Sequence, residues 1–162
     1  MRLIVGLVTI TYLAISGVRC SQDVMKQMTL NFAKLVDLCK KELDLPDTIS
    51  KDFANFWKEG YEISDRNTGC ALMCMASKLE LFDPDGKLHH GNTKEFAKSH
   101  GADDSMIDQL ISLVHKCEAA IPEQTDSCMQ VLMVSKCFKA GIHDLNWAPS
   151  MEMLLAEVLA EV

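Results

Sequence analysis

Sulfur and imidazole are the side chains here with the most chemistry open to them. Six cysteines, Cys39, Cys70, Cys74, Cys117, Cys128 and Cys137, follow the spacing C-x30-C-x3-C-x42-C-x10-C-x8-C, and a seventh, Cys20, stands ahead of them. His89 and His90 adjoin in mid-chain, and His115 follows. The C-x3-C pair and His89-His90 can be drawn as zinc ligands, but an even count in an oxidising compartment is what a closed disulfide framework requires, so no metal is expected. Cys70 and Cys74 lie at i and i+4 of a helix. They share a face but are poorly placed to bond each other, so each should reach a different helix. Which cysteine each meets stays open, since six cysteines allow fifteen pairings.

The oxidising compartment follows from the N-terminus. Arg2 precedes an apolar run from Leu3 to Ile15, and Val18 and Cys20 occupy the −3 and −1 positions of a signal-peptidase site. Such a run is too short for a stable membrane anchor. Residues 1–20 read as a signal peptide and 21–162 as one secreted domain without repeats or linkers. Cleavage takes away the odd cysteine together with Arg2 and Arg19, moving the formal charge from −7 to −9. A chain this acidic repels nucleic acid and anionic lipid surfaces.

Catalytic patterns are thin. His143-Asp144 is a lone pair that reads as a solvated helix end. There is no Cys-Cys-x-x-His-Asp of a secreted phospholipase, no Gly-x-Ser-x-Gly and no phosphate-binding loop. The chain is read as a binder rather than an enzyme.

The elements that must position these residues are helices. Val24, Met28, Phe32, Leu35 and Cys39 recur at helical spacing. Pro46-Asp47 opens a short second helix through Phe53, Phe56 and Trp57. A third follows Ser64-Asp65 and carries Cys70, Leu72, Cys74 and Ala76. Asn92 with Glu95 resembles a capping box opening a fourth through Phe96. Met106, Leu110, Leu113, Val114 and Cys117 mark a fifth, and Cys128, Val131, Val134 and Phe138 a sixth. No stretch alternates as strands do, so the domain is all-α. Between the third and fourth helices, Asp83-Pro84-Asp85-Gly86 is a tight-turn sequence leading to Leu88, His89 and His90. That loop reads either as plain surface or as a lid responsive to pH.

Phe32, Phe56, Trp57, Phe96 and Phe138 come from different helices in a methionine-rich chain. Pattern alone favours a packed core for them. The cysteine spacing, together with Trp57-Lys58-Glu59-Gly60-Tyr61-Glu62, Thr68-Gly69-Cys70-Ala71, Leu88-His89-His90-Gly91-Asn92, His100-Gly101-Ala102-Asp103-Asp104 and the ending from Asn146-Trp147-Ala148-Pro149 to Val162, resembles moth pheromone-binding proteins. These are a branch of the insect odorant-binding family, and the resemblance runs from Ser21 to Val162.

The resemblance implies bridges Cys39–Cys74, Cys70–Cys128 and Cys117–Cys137 and six helices around an apolar cavity. It implies a pocket lined by Met25, Phe32, Phe56, Trp57, Leu72, Phe96, Ile111, Val114 and Phe138, and Ala76, Leu88 and Val134 complete the candidate set. The implied function is a cofactor-free carrier in the sensillar lymph of antennae. It would solubilise a C10–C18 acetate, aldehyde or alcohol, carry it to olfactory receptors or a sensory neuron membrane, and release it on acidification. A homodimer near neutral pH is implied as well; a general odorant or fatty-acid carrier is the alternative. Where some relatives hold the ligand's polar end with a serine, this chain has Ala76, which favours an acetate or aldehyde over an alcohol. Where some relatives pair the loop acid with an arginine, Asp83 supplies the acid but the matching partner position is Gln130, so the lid should rely less on a salt bridge.

Met151, Leu154, Leu155, Val158, Leu159 and Val162 form an apolar stripe beside Glu152, Glu157, Glu161 and the terminal carboxylate. Burying ionised carboxylates is costly and protonation removes that cost. The tail should therefore dock in acid and undock as pH rises. His89, His90 and His115 would gain charge on acidification and loosen the lid.

Overall fold

The structure, a computed structural model, describes residues 20–83 and 87–160, with side chains through 156. The expected leader at 1–19, the turn at 84–86, the Glu157 side chain, Glu161 and Val162 lie outside the described residues.

All extended regular structure among these residues is helical. Residues 20–33 form α1, followed by α2 (Val36–Glu42), α3 (Thr48–Ala54), α4 (Arg66–Lys78), α5 (His90–Ser99), α6 (Asp104–Ala120), α7 (Ser127–Asp144) and α8 (Met151–Ala160). The first expected helix is split. Residues 34 and 35 form a turn in which the Leu35 N–H bonds the Phe32 carbonyl at 2.9 Å. The apolar spacing continues through the turn without a glycine or proline to mark it.

Three helices are capped by an aspartate side chain. Asp65 accepts from the Asn67 N–H at 2.9 Å, Asp103 from Met106 at 2.7 Å and Asp126 from Met129 at 3.0 Å. The start of α5 corrects the sequence reading. His89, not Asn92, is its cap, and its Nδ1 accepts the Asn92 N–H at 3.1 Å. The Asn92 side chain instead donates to the Glu80 carbonyl at 2.8 Å, so no Asn92–Glu95 capping box forms. Left-handed residues close α2, α4, α5 and α7: Asp44, Glu80, Gly101 and Asn146 have φ of 50°, 54°, 94° and 57°. In each case the next N–H reaches back five residues, as in Leu81 to Ala76 and Trp147 to Ile142.

The centre is the crossing of α4 and α7. A Cβ on Gly69 would lie 2.1 Å from the Cys128 carbonyl oxygen, so only glycine permits this approach. There Cys70 bonds Cys128 across a Cα separation of 4.5 Å. Cys39–Cys74 ties α2 to α4, and Cys117–Cys137 ties α6 to α7. Cys20 is an exposed free thiol.

A buried polar network pins the 55–65 segment beneath these helices. Asp52 accepts from the Thr68 hydroxyl at 2.6 Å and from the Tyr61 hydroxyl at 2.7 Å. The Asp52 bond, with burial adding to it, raises the Tyr61 pKa. Lys139, 8% exposed, donates to the Tyr61 carbonyl at 2.8 Å, and its loss of water pushes its pKa down.

Candidate functional site

One apolar cluster draws on five described helices and the segment after α3. Met25 and Met28 enter from α1, Phe56 and Trp57 from residues after α3, and Phe96 and Ala97 from α5. Met106, Ile107, Leu110 and Ile111 come from α6, Phe138 and Ile142 from α7, and Leu154 from α8. Met25 and Trp57 are buried, whereas Phe56, Phe96, Ile111 and Phe138 keep some accessible surface. The rings meet edge to face: Phe32 and Phe96 are 5.7 Å apart and Phe56 and Trp57 4.9 Å. Such pairs are the preferred aromatic geometry. The Trp57 indole N–H is satisfied by the Thr29 hydroxyl at 2.9 Å, leaving an apolar ring face.

The remaining candidates are more dispersed. Ala76 is buried on α4, while Leu72 on α4, Leu88 in the loop, Val114 on α6 and Val134 on α7 are half-buried outside that cluster. Sequence reasoning did not single out Leu154 as a neighbour of the aromatic set, although its place in the tail stripe carried the signal. His143 also differs from the solvated end expected of it. Asp144 is exposed, but His143 sits 6.3 Å from the Trp57 ring and its Nε2 is buried without a partner.

The three loop-associated histidines are all engaged. Beyond the His89 cap, His90 Nε2 lies 2.8 Å from His115 Nε2, and His115 Nδ1 lies 2.9 Å from the Glu118 carboxylate. The His90–His115 bond needs one bare nitrogen, and so does the His89 cap. The pair borders an open cleft of about 630 Å³ between α5 and α6, alongside Lys94, Asp108 and Ile111. A second cleft of about 300 Å³ at the root of α8 is bordered by Trp57, His143, Pro149 and Met151. Around the loop between α4 and α5, the bridge between Phe82 and Leu88 and the 2.7 Å bond from His89 N–H to the Leu81 carbonyl bring the two sides together. Asp83 accepts from the Lys87 N–H at 2.9 Å, and Gln130 accepts from the Gln124 N–H at 2.9 Å.

This arrangement offers apolar contact and a few buried polar atoms, with no group of three metal-ligating side chains among the described residues. No described helix is long and apolar enough to cross a membrane. The sequence profile of the PBP/GOBP family matches residues 21–141. The chain belongs to the PBP/GOBP family. It is 57% identical over 146 residues to pheromone-binding protein 2 of Epiphyas postvittana, covering 90% of this chain and 88% of that one. General odorant-binding protein 1 of Antheraea pernyi is 34% identical over 86% of this chain and 83% of its own length. Among solved structures, the crystal structure of Epiphyas postvittana pheromone binding protein 3 superposes with a TM-score of 0.65 at 46% identity, covering 72% of this chain and 99% of that one. This PBP/GOBP member is therefore an all-helical, disulfide-stapled protein of the moth pheromone-binding type.

Proposed function

We propose that this protein is a secreted carrier for a long-chain pheromone, a C10–C18 acetate, aldehyde or alcohol, in sensillar lymph. The observation that carries the reading is the aromatic set: rings from α1, the segment after α3, α5 and α7 meet in and against one apolar cluster. Burying an alkyl chain there contributes roughly 0.8 kcal/mol per methylene before the costs of association. Met25, Phe32, Phe56, Trp57, Leu72, Ala76, Leu88, Phe96, Ile111, Val114, Val134 and Phe138 are the proposed lining. The names of the relatives support the ligand class, and the family match beginning at residue 21 supports a leader ending at Cys20.

Release on acidification is part of the proposal. Protonating His89 removes the acceptor that caps α5, and protonating both His90 and His115 sets two cations where one hydrogen bond stood. The packing of Leu154 against the apolar cluster supports competition between α8 and a ligand there. Glu152 is exposed at the start of α8, whereas Glu157, Glu161 and Val162 extend the proposed acid-sensitive set toward the C-terminus. Delivery to an olfactory receptor or sensory neuron membrane, and a homodimer near neutral pH, complete the reading.

The test is displacement of a fluorescent apolar probe by C10–C18 acetates, aldehydes and alcohols at pH 7 and pH 5. It uses the secreted protein with and without residues 149–162. Stoichiometric displacement at pH 7 by both forms is expected, with loss at pH 5 only in the form that keeps its tail. Failure of every ligand to displace the probe at pH 7 would overturn the carrier reading, and release by the truncated form would overturn the tail mechanism.

A further inference from the structure

Thr93 Oγ is shut off from solvent and has no hydrogen-bond partner. Buried polar atoms are nearly always paired, and an orphan is a cost that something ought to relieve. Thr93 lies in the first turn of α5, one turn before Ala97, which is 3% exposed and belongs to the apolar cluster. Phe96, three residues on, meets Phe32 edge to face. A helical threonine usually returns its hydroxyl to a carbonyl one turn back; Thr93 makes no such bond.

We infer that the Thr93 hydroxyl is the donor that holds the ligand's carbonyl oxygen. The inference rests on the carrier reading above and names the head group that reading leaves open. Counting hydrogens decides which head group fits. Against a carbonyl, one O–H meets one acceptor and nothing is left over. Against an alcohol, two O–H groups share one bond, and one hydrogen stays buried without an acceptor. An acetate or aldehyde is thus favoured over an alcohol of the same chain, and an alkane leaves Thr93 as orphaned as before.

Probe displacement at pH 7 by a long-chain acetate, the matching aldehyde and alcohol, and an alkane of equal length tests this on the wild type, Thr93→Val and Thr93→Ser. Valine matches threonine in shape, so packing stays nearly constant. Thr93→Val should weaken acetate and aldehyde binding about three- to tenfold, the worth of one hydrogen bond. It should leave alkane binding unchanged or tighter, and Thr93→Ser should restore the acetate preference. The same fractional change for alkane and acetate, or no change for acetate, would overturn the assignment while the carrier reading stood. Wild-type protein that binds none of the four would overturn both.

Discussion

At the scale of single residues, the close approach of α4 and α7 depends on an atom that is missing. Glycine inside a helix ordinarily costs stability relative to alanine. Here Gly69→Ala should instead destabilise, by ~1–3 kcal/mol or more, because its Cβ would overlap the Cys128 carbonyl. Thermal unfolding of the oxidised variant measures this. Charge at the helix starts gives a second expectation. The Arg66 side chain, with the Met129 N–H, holds the Asp126 carboxyl below its ordinary range, and the Lys98 side chain, with Lys94 beyond it, does the same for Asp104. A carboxyl depressed by folding contributes stability present above its unfolded pKa of ~3.9, lost as pH falls through the folded value. Asp126→Asn, which keeps a capping oxygen, should therefore lower the melting temperature at pH 7 and converge with the wild type as pH falls through the depressed folded value.

At the scale of elements, α5 stands apart. Its cap is an imidazole where α4, α6 and α7 use aspartate, so the acceptor at its start is a ring nitrogen and not a carboxylate oxygen. His89→Asp, which keeps an acceptor at this position, should change stability at pH 7 by less than ~1 kcal/mol, whereas His89→Ala, which removes it, should lower the amide-exchange protection of α5. Amide exchange read over residues 90–99 in the two variants decides it. Much of this layer was legible in advance, because helical periodicity survives in Val24 to Cys39, Met106 to Cys117 and Cys128 to Phe138. The aromatic residues that meet in the structure could also be picked out by type. Three things could not be read. The turn at 34–35 carries no breaker residue. Histidine is not a standard cap, and Asn92 with Glu95 made a plausible decoy beside it. Whether the Thr93 hydroxyl finds a partner depends on side-chain orientation in the folded chain, which no spacing encodes.

At the scale of the whole molecule, the three disulfides form one covalent path, α2 to α4 to α7 to α6. The bridge spanning 58 residues closes a longer loop than the one spanning 20. Replacing Cys70 and Cys128 with alanine should therefore cost about 1 kcal/mol more than replacing Cys117 and Cys137, from loop entropy alone. Denaturant titration of the two double variants checks this. The same path omits α1, α3, α5 and α8. Ion pairs from Lys94 and Lys98 to Asp104 hold α5 to α6, and all three side chains are substantially exposed. Such pairs contribute little. Two clocks should then run in this protein. Opening of the unstapled helices belongs to the microsecond-to-second range of local unfolding, while unravelling of the cross-linked frame is governed by global stability. Exchange between the interior and solvent would be timed by the first clock, and the lifetime of the folded protein by the second.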